Sequence, residues 1–384
     1  MQKLNIKEQI RKLYLVTTIG YFEIAGASWV ALLALRGFSI LEIGILESIF
    51  HIVSSCFEIP SGVVADVFGR KRTMVLARVV SLISSLLMIL SFNFWTVAFA
   101  IGFSAISYNL ESGTREALAY DSLKSVGQEK QYNDFASKEM MLYRITTSTA
   151  TLCAGIALGL GYRKAYAVDM VFNLIALGIA CSLKEVFMGT PQEVFESEET
   201  YWKNATCVHS NGSDKMDVIR DRFKNVVSES WYFMVSNRKA RKIMIVNALI
   251  GAVSTLVLFF LQAKLPLVGL NNVLLGPALF VMGLGAALGA KVVGYFPTWK
   301  YKKYVILSGI GVLFAFAMTF TGNPFVMILG GFAGSFADDF LEVRTDVILN
   351  DMIPSEQRAT LISVNSFTFS LTMIVLATFM GSIM

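Results

Sequence analysis

The chain has 384 residues, 55% of them hydrophobic and only 16% charged. A soluble domain carries about 25% charged residues, so the composition argues against a water-soluble fold and for a chain dissolved in lipid. The net charge of +5 sits in short clusters between apolar runs, the pattern of topology determinants rather than of a nucleic-acid-binding surface.

The start, Met1 to Lys12, is amphipathic, and the apolar run after it is too long for a cleavable signal. It reads as a tail ahead of the first span. Eleven segments are long and apolar enough to cross a bilayer: about 13–36, 39–66, 72–92, 94–121, 134–160, 164–183, 241–263, 271–295, 303–321, 324–351 and 357–381. They are numbered here as spans 1 to 11. Gly37, Gly161, Gly269, Gly322 to Pro324 and Ile353-Pro354 punctuate the joins.

Cations set the expected orientation. Lys3, Lys7, Arg11 and Lys12 precede span 1; Arg70, Lys71 and Arg72 follow span 2; Lys124, Lys130 and Lys138 follow span 4; Lys300, Lys302 and Lys303 follow span 8. The other side has only Arg36, Arg163, Lys164 and Lys264. The positive-inside bias therefore places the N-terminus in the cytoplasm.

The expected organisation is an N-terminal six-span half (1–183), a cytoplasmic loop (184–240) and a C-terminal half of five spans (241–384). In the loop, Ile219, Phe223, Val226, Val227, Trp231 and Met234 recur at helical spacing among charges, which predicts an amphipathic helix on the inner leaflet tethering the halves. Sequons at Asn204 and Asn211 lie on the wrong side for glycosylation. Of the four cysteines, Cys56, Cys153 and Cys181 fall in apolar runs and read as small apolar fillers, and Cys207 lies in the loop; none has metal-ligand spacing.

Ionisable groups inside spans cost roughly 2.5–3.5 kcal/mol each on insertion scales and so rarely face lipid. Glu23 lies about eleven residues into span 1, near mid-depth. In span 2, Glu47, His51 and Glu58 share one helical face, followed by Pro60, which is expected to loosen the helix. Glu111 and Arg115 in span 4 are one turn apart, either lining a cavity or forming a neutralised structural pair. In span 10, Asp338, Glu342 and Asp346 form an acidic stripe beside Asp339, with Arg344 off the stripe and able to reach another helix. Span 7 offers only Asn247 and Gln262.

Asp121, Asp346 and Asp351, near span ends, read as interfacial, and His51 as a hydrogen-bonded packing residue before a proton relay. Glu23 and Asp338/Asp339 have no adjacent cation and are the leading proton-coupling candidates, because a carboxylate in an apolar cavity can exchange protons near neutral pH.

The halves echo each other. Glu111 to Asp121 closes span 4 as Asp338 to Asp346 closes span 10, and Lys300 to Lys303 stands where the first half has Arg70 to Arg72. That is the mark of an inverted or parallel repeat transporter. A six-plus-six template would need a twelfth span beyond Met384.

The run Gly62-Val-Val-Ala-Asp66-Val-Phe-Gly69-Arg70-Lys71 after span 2 resembles the GxxxDxxGRK signature of the major facilitator superfamily. Tyr120-Asp121-Ser-Leu and Arg358-Ala-Thr-Leu-Ile-Ser363 are similar to segments of its bacterial drug-efflux members. The resemblance implies an all-α membrane fold in which helices 1, 4, 7 and 10 line a central cavity. It also implies that Gly62, Asp66, Gly69, Arg70 and Lys71 form a gating loop. In that loop Asp66 would meet the positive end of helix 11 near Ser355, and Arg70 would pair with an acid such as Asp121. The family's helix-5 Gly-Pro antiporter motif is not matched: span 5 has Gly155, Gly159 and Gly161 but no proline.

The resulting expectation is a secondary transporter of the bacterial inner membrane, monomeric and without cofactor or metal. It would use protons to export amphiphilic drugs of the tetracycline or multidrug type. The sites expected are Glu23, Glu58, Glu111, Arg115, Asp338, Asp339, Glu342 and Arg344 for coupling, with His51 as relay. Nutrient uptake by proton symport is the alternative. A membrane-embedded enzyme or sensor is remote, because His51 beside Ser54 and Ser55 on one helix makes no triad.

Overall fold

The computed structural model describes residues 5–186, 237–352 and 358–383. The expected amphipathic helix, the two sequons, Cys207 and the turn around Ser355 lie outside these residues. Among the described residues the structure is helical throughout, without strands.

Span 1 is three helices, not one: α1 (Ile6–Gly20), α2 (Ile24–Ala27) and α3 (Trp29–Leu35). Span 2 is α4 (Ile40–Phe68) and span 3 is α5 (Arg70–Leu90). Span 4 is split into α6 (Phe94–Glu111) and α7 (Thr114–Lys124), and span 5 into α8 (Tyr132–Leu152) and α9 (Ala154–Leu160). Spans 6 to 11 follow as α10 (Tyr162–Cys181), α11 (Arg238–Leu267), α12 (Asn272–Val292), α13 (Tyr301–Met318), α14 (Pro324–Met352) and α15 (Arg358–Ile383). Eight of these helices are by length and composition sufficient to cross a membrane. The other three spans, 1, 4 and 5, are interrupted within the bundle.

Local chemistry explains the ends. Ser39 and Glu42 form a capping box that starts α4, and Asn93 with Thr96 does the same for α6. Gly113, at φ +75°, supplies the left-handed residue that breaks span 4. Pro60 does not loosen α4; the helix runs through it to Phe68. The N-terminal α1 is capped by Asn5, and just inside it Lys12 lies 2.7 Å from Glu8. This ammonium, outside the bilayer, holds the Glu8 carboxyl below the usual carboxylate range.

In the first half, α5 packs between α6 and α10, α4 against α6, and α1 against α10; in the second, α14 is the hub for α11, α12 and α13. The halves meet through α4 and α15, through α8–α9 and α12, and through α3 and α11. Where they meet, glycines let backbones touch. A methyl group on Gly44 would collide with the Ala377 carbonyl, and one on Gly276 with the Leu152 carbonyl. A methyl on Gly155 would come within 2.8 Å of the Asn272 carbonyl. Gly159, by contrast, faces open space, so only the first of the two span-5 glycines serves close packing.

These contacts gather toward the face carrying the Gly37, Gly161 and Gly269 turns, here the Gly37 face. The face with the start of α1 and the α4–α5 link is the N-terminal face. Large apolar side chains such as Trp95, Phe99 and Phe325 cover the outer surface, as lipid contact requires. Cys56 and Cys181 are exposed rather than filling the core.

Candidate transport cavity and buried charge network

The interruption of span 1 at Tyr21-Phe22-Glu23 exposes backbone groups that lipid cannot satisfy. Side chains from neighbouring spans satisfy them. Asp169 of α10 accepts the backbone N–H of Ile24 at 2.7 Å and those of Ala25 and Gly26 at 3.0 Å each. Arg78 of α5 donates to the Gly20 carbonyl at 3.1 Å, the end of α1. An anion therefore sits at the start of α2 and a cation at the end of α1, as the peptide dipoles favour. Asn173 links the cation to Glu23, accepting from Arg78 at 3.1 Å and donating to a Glu23 oxygen at 3.0 Å. Glu23 is thus a hydrogen-bonded carboxylate at a helix break, not an isolated one inside a continuous helix.

The chain of charges continues toward the N-terminal face. Arg78 pairs with Glu111. Glu111 and Arg115 are 3.5 Å apart, but Arg115 also lies 2.8 Å from Glu116 and pairs with Glu139 of α8. Thr17 donates to Glu139 at 3.0 Å, and Arg115 donates to the Tyr21 hydroxyl at 3.3 Å. The Tyr21 ring lies 5.5 Å from the Arg78 guanidinium carbon and 5.4 Å from that of Arg115. The expected two-residue pair of span 4 is therefore the middle of a network tying spans 1, 3, 4, 5 and 6. Two of its links, Arg78–Glu111 and Arg115–Glu139, join helices distant in the chain.

On the other side of Glu23 lies a cavity of about 300 Å³. Glu23, Glu47 and Asp169 face it, together with Trp29, Phe50, Tyr166 and Phe259, the serines Ser81, Ser84, Ser85 and Ser104, and Gly26, Met88 and Ile101. Spans 1, 2, 3, 4 and 6 build it, and Phe259 of span 7 closes it from the second half. Trp29 and Phe259 meet edge to face at 5.9 Å between centroids, and Gln262 donates to the Ala27 carbonyl at 3.0 Å beside them.

Glu47 lies at 3.2 Å from His51, whose other ring nitrogen is 3.2 Å from Ser370 of α15. His51 thereby links the halves. Glu58, further along α4, lies outside the cavity and is partly exposed, so the shared face of span 2 does not become a shared site.

In the second half, Asp338 lies against α11: a Cβ on Gly251 would be 3.2 Å from its Oδ1. Asp338 and Asp339 are half-buried, whereas Glu342 and Asp346 are exposed, so the acidic stripe runs from interior to surface. Arg344 turns away from it. It donates to the Pro297 carbonyl at 3.3 Å and lies over the Tyr304 ring at 5.7 Å, anchoring α14 to the link after α12 rather than lining a cavity.

At the N-terminal face, Arg70 pairs with Asp121 and donates to the Ala117 carbonyl. Gly69, at φ +94°, begins α5. The Glu185 carboxylate accepts the backbone N–H of Arg70 at 2.9 Å, of Lys71 at 3.2 Å and of Arg72 at 3.4 Å. Glu185 is the missing cap of this helix, and the motif's second glycine leaves room for it. The Asp66 side chain, the side chain of Asp351 and those of Arg358 to Ser363 lie outside the described residues, and with them the expected contact to helix 11.

Sequence reasoning missed Arg78, Glu139, Asp169, Asn173 and Glu185. The signal for the first three was present: each is an ionisable residue inside or at the edge of an apolar segment (72–92, 134–160 and 164–183).

The sequence profile of the Major Facilitator Superfamily matches residues 13–336. Among solved structures, the chain is similar to the nucleoside transporter NupG at TM-score 0.71 and 15% identity, covering 99% of this chain and 91% of that one. A bacterial homologue of the human lysosomal transporter Spinster, inward-facing and unoccupied, gives TM-score 0.70 at 15% identity, with coverage of 100% and 83%. A D-xylose–proton symporter gives 0.69 at 11% identity, with coverage of 97% and 90%. At these identities the likeness is one of fold. No curated protein sequence matched the chain. With its profile spanning most of the sequence and its helical bundle shared with transporters along nearly the whole chain, the protein belongs to the major facilitator superfamily and is a multi-pass secondary transporter.

Proposed function

We propose that this transporter uses the proton gradient to export amphiphilic small molecules by alternating access, with its N-terminus in the cytoplasm of a bacterial cell and a monomer as the working unit. The observation that carries the reading is the cavity at the span 1 break, where Glu23, Glu47 and Asp169 share one space with aromatic rings. Carboxylates that meet a substrate cavity are where a proton and a substrate can compete. The cation bias of the sequence supports the orientation, and the close contacts between halves on the Gly37 face support an inward-open state.

In this reading the outward-open protein takes a proton at Glu23 or at Asp338/Asp339, the halves rock, and substrate enters from the cytoplasm as the proton leaves. Arg70 and Asp121, with Gly62, Asp66, Gly69 and Lys71, gate that cytoplasmic face. His51, bonded across the halves to Ser370, reports the state of Glu47 to α15. The likeness to a D-xylose–proton symporter keeps uptake as the second reading. The cavity lining disfavours it, since a sugar site needs amide side chains and none is found among the described lining residues.

The test is purified protein in proteoliposomes with an imposed pH gradient. Substrate movement against the proton flow, abolished by Glu23→Gln or Asp338→Asn, is expected. Movement with the proton flow would establish uptake instead, and movement unaffected by the gradient would remove proton coupling.

A further inference from the structure

The cavity's lining has an unbalanced charge. Three carboxylates from three different spans, Glu23, Glu47 and Asp169, face about 300 Å³ of space, and among its described lining residues there is no lysine, arginine or histidine. The basic groups nearby stand outside the lining, and one of them, His51, lies 3.2 Å from Glu47 and bonds Ser370 through its other ring nitrogen. Arg78 is turned to Gly20, Asn173 and Glu111, and Arg115 to Glu111, Glu116 and Glu139. Much of the remaining wall is aromatic: Trp29, Phe50, Tyr166 and Phe259 line the same space. A neutral substrate would leave the carboxylates without a counter-charge inside the cavity, and an anion would be repelled. A cation satisfies both halves of the lining, through charge with the carboxylates and through the ring quadrupoles with the aromatics.

Resting on the export reading above, we infer that this cavity recognises a small organic cation carrying an aromatic or apolar body. The volume sets the size: it suits a single-ring quaternary or protonated amine better than an extended multi-ring compound. Glu23 and Glu47 supply the charge that selects it. Asp169 is committed to three backbone N–H groups and shapes the wall. Trp29 and Phe259, one from each half, clasp the ligand, so its presence couples the cavity to the interface that must open for release.

The probe is phenyltrimethylammonium, a permanent cation that cannot itself carry a proton, compared with its uncharged isostere tert-butylbenzene. Binding to the detergent-solubilised full chain is followed by calorimetry and by thermal stabilisation. The cation is expected to bind at least about tenfold more tightly than the isostere. Glu47→Gln and Glu23→Gln should each remove most of that preference. Gln at position 23 can still accept from Asn173, which keeps the break intact. Trp29→Ala should weaken cation binding while Trp29→Phe restores much of it, and Glu8→Gln, at the exposed start of α1, should change nothing.

Equal binding of the two probes, a preference that survives both Gln variants, or no binding of the cation by a folded protein would overturn the assignment. The two readings separate in vesicles. Gradient-driven export of an uncharged amphiphile without cation selectivity leaves export standing and removes the cation. Charge-selective binding without gradient-driven movement keeps the cation site and removes proton-coupled export.

Discussion

Arg78 and Asp169 hold opposite ends of the same interruption in span 1. The guanidinium closes the last carbonyl of α1, and the carboxylate accepts the first three N–H groups of α2. They come from spans 3 and 6, so the break is built by the bundle and not by the three residues that form it. Placing Glu23 at a helix end rather than inside a helix turns its carboxylate toward open space. A break of this kind is also where a transporter can bend without disturbing its longer helices.

Removing the anion should therefore cost more than one hydrogen bond. Asp169→Ala leaves three buried donors without an acceptor, at about 1–3 kcal/mol each when unsatisfied. Thermal unfolding in detergent should show a destabilisation of about 3 kcal/mol or more, with Asp169→Asn losing a smaller part. A wild-type melting curve for the alanine variant would mean the break is held by something else.

The Arg78–Glu111 pair is buried on both sides, with side-chain exposure of 4% and 7%. Breaking such a pair from one side strands the other charge and costs about 3–5 kcal/mol, whereas replacing both partners is often close to neutral. Arg78→Met should be strongly destabilising, and Arg78→Met with Glu111→Leu should recover a large share of the loss. The recovery will be incomplete, because Arg78 also serves Gly20 and Asn173. A double-mutant cycle on unfolding measures the coupling, and additive losses would contradict a direct pair.

The signature loop gains a structural explanation of its second glycine. Gly69 is left-handed, and a Cβ there would come within 2.7 Å of the Glu185 carboxylate that caps α5. Gly69→Ala should cost about 1–2 kcal/mol from backbone conformation alone. Glu185→Ala should cost about 1 kcal/mol as a lost cap. Because both changes remove the same capping contact, the double variant should be less destabilised than the sum. Additivity in a thermal-melt comparison would separate the glycine from the cap.

How far the sequence could be read follows from the physics of each feature. Apolar length and cation bias are properties of single segments, so spans 2, 3 and 6 to 11 could be located directly. The breaks in spans 1, 4 and 5 could not, because no residue there demands one except Gly113. The span 1 break exists because Asp169 and Arg78 arrive from distant segments to pair the freed backbone. The same limit explains Glu111 and Arg115. Spacing on one helix found the near neighbour at 3.5 Å but not the partners on α5 and α8. Arg344 shows the mirror case: its place on span 10, off the acidic stripe, was legible, but the Pro297 carbonyl that it bonds lies on a link between helices. Glu47 and His51 were legible as a pair at one-turn spacing, and only the fold adds Ser370 from α15.

The glycines at the interface between halves give the most direct handle on alternation. Gly44 on α4 and Gly276 on α12 each lie where a methyl group would strike a backbone carbonyl of the opposite half, Ala377 and Leu152. A carbonyl on a packed helix cannot swing aside as a side chain can, so Gly44→Ala and Gly276→Ala must part the halves on the Gly37 face. Neither change touches a charge or the cavity. In a transporter that alternates, a wedge on one face should favour opening there and slow the cycle, without abolishing ligand binding. Spin labels at Phe38 and Leu274 should report a longer mean distance in both variants, together with reduced transport in vesicles. Gly159→Ala is the matched control, since its Cβ would meet open space, and it should leave distance and rate unchanged. If the wedged variants kept the wild-type distance and rate, the Gly37-face contacts would not be the closed gate of this conformation.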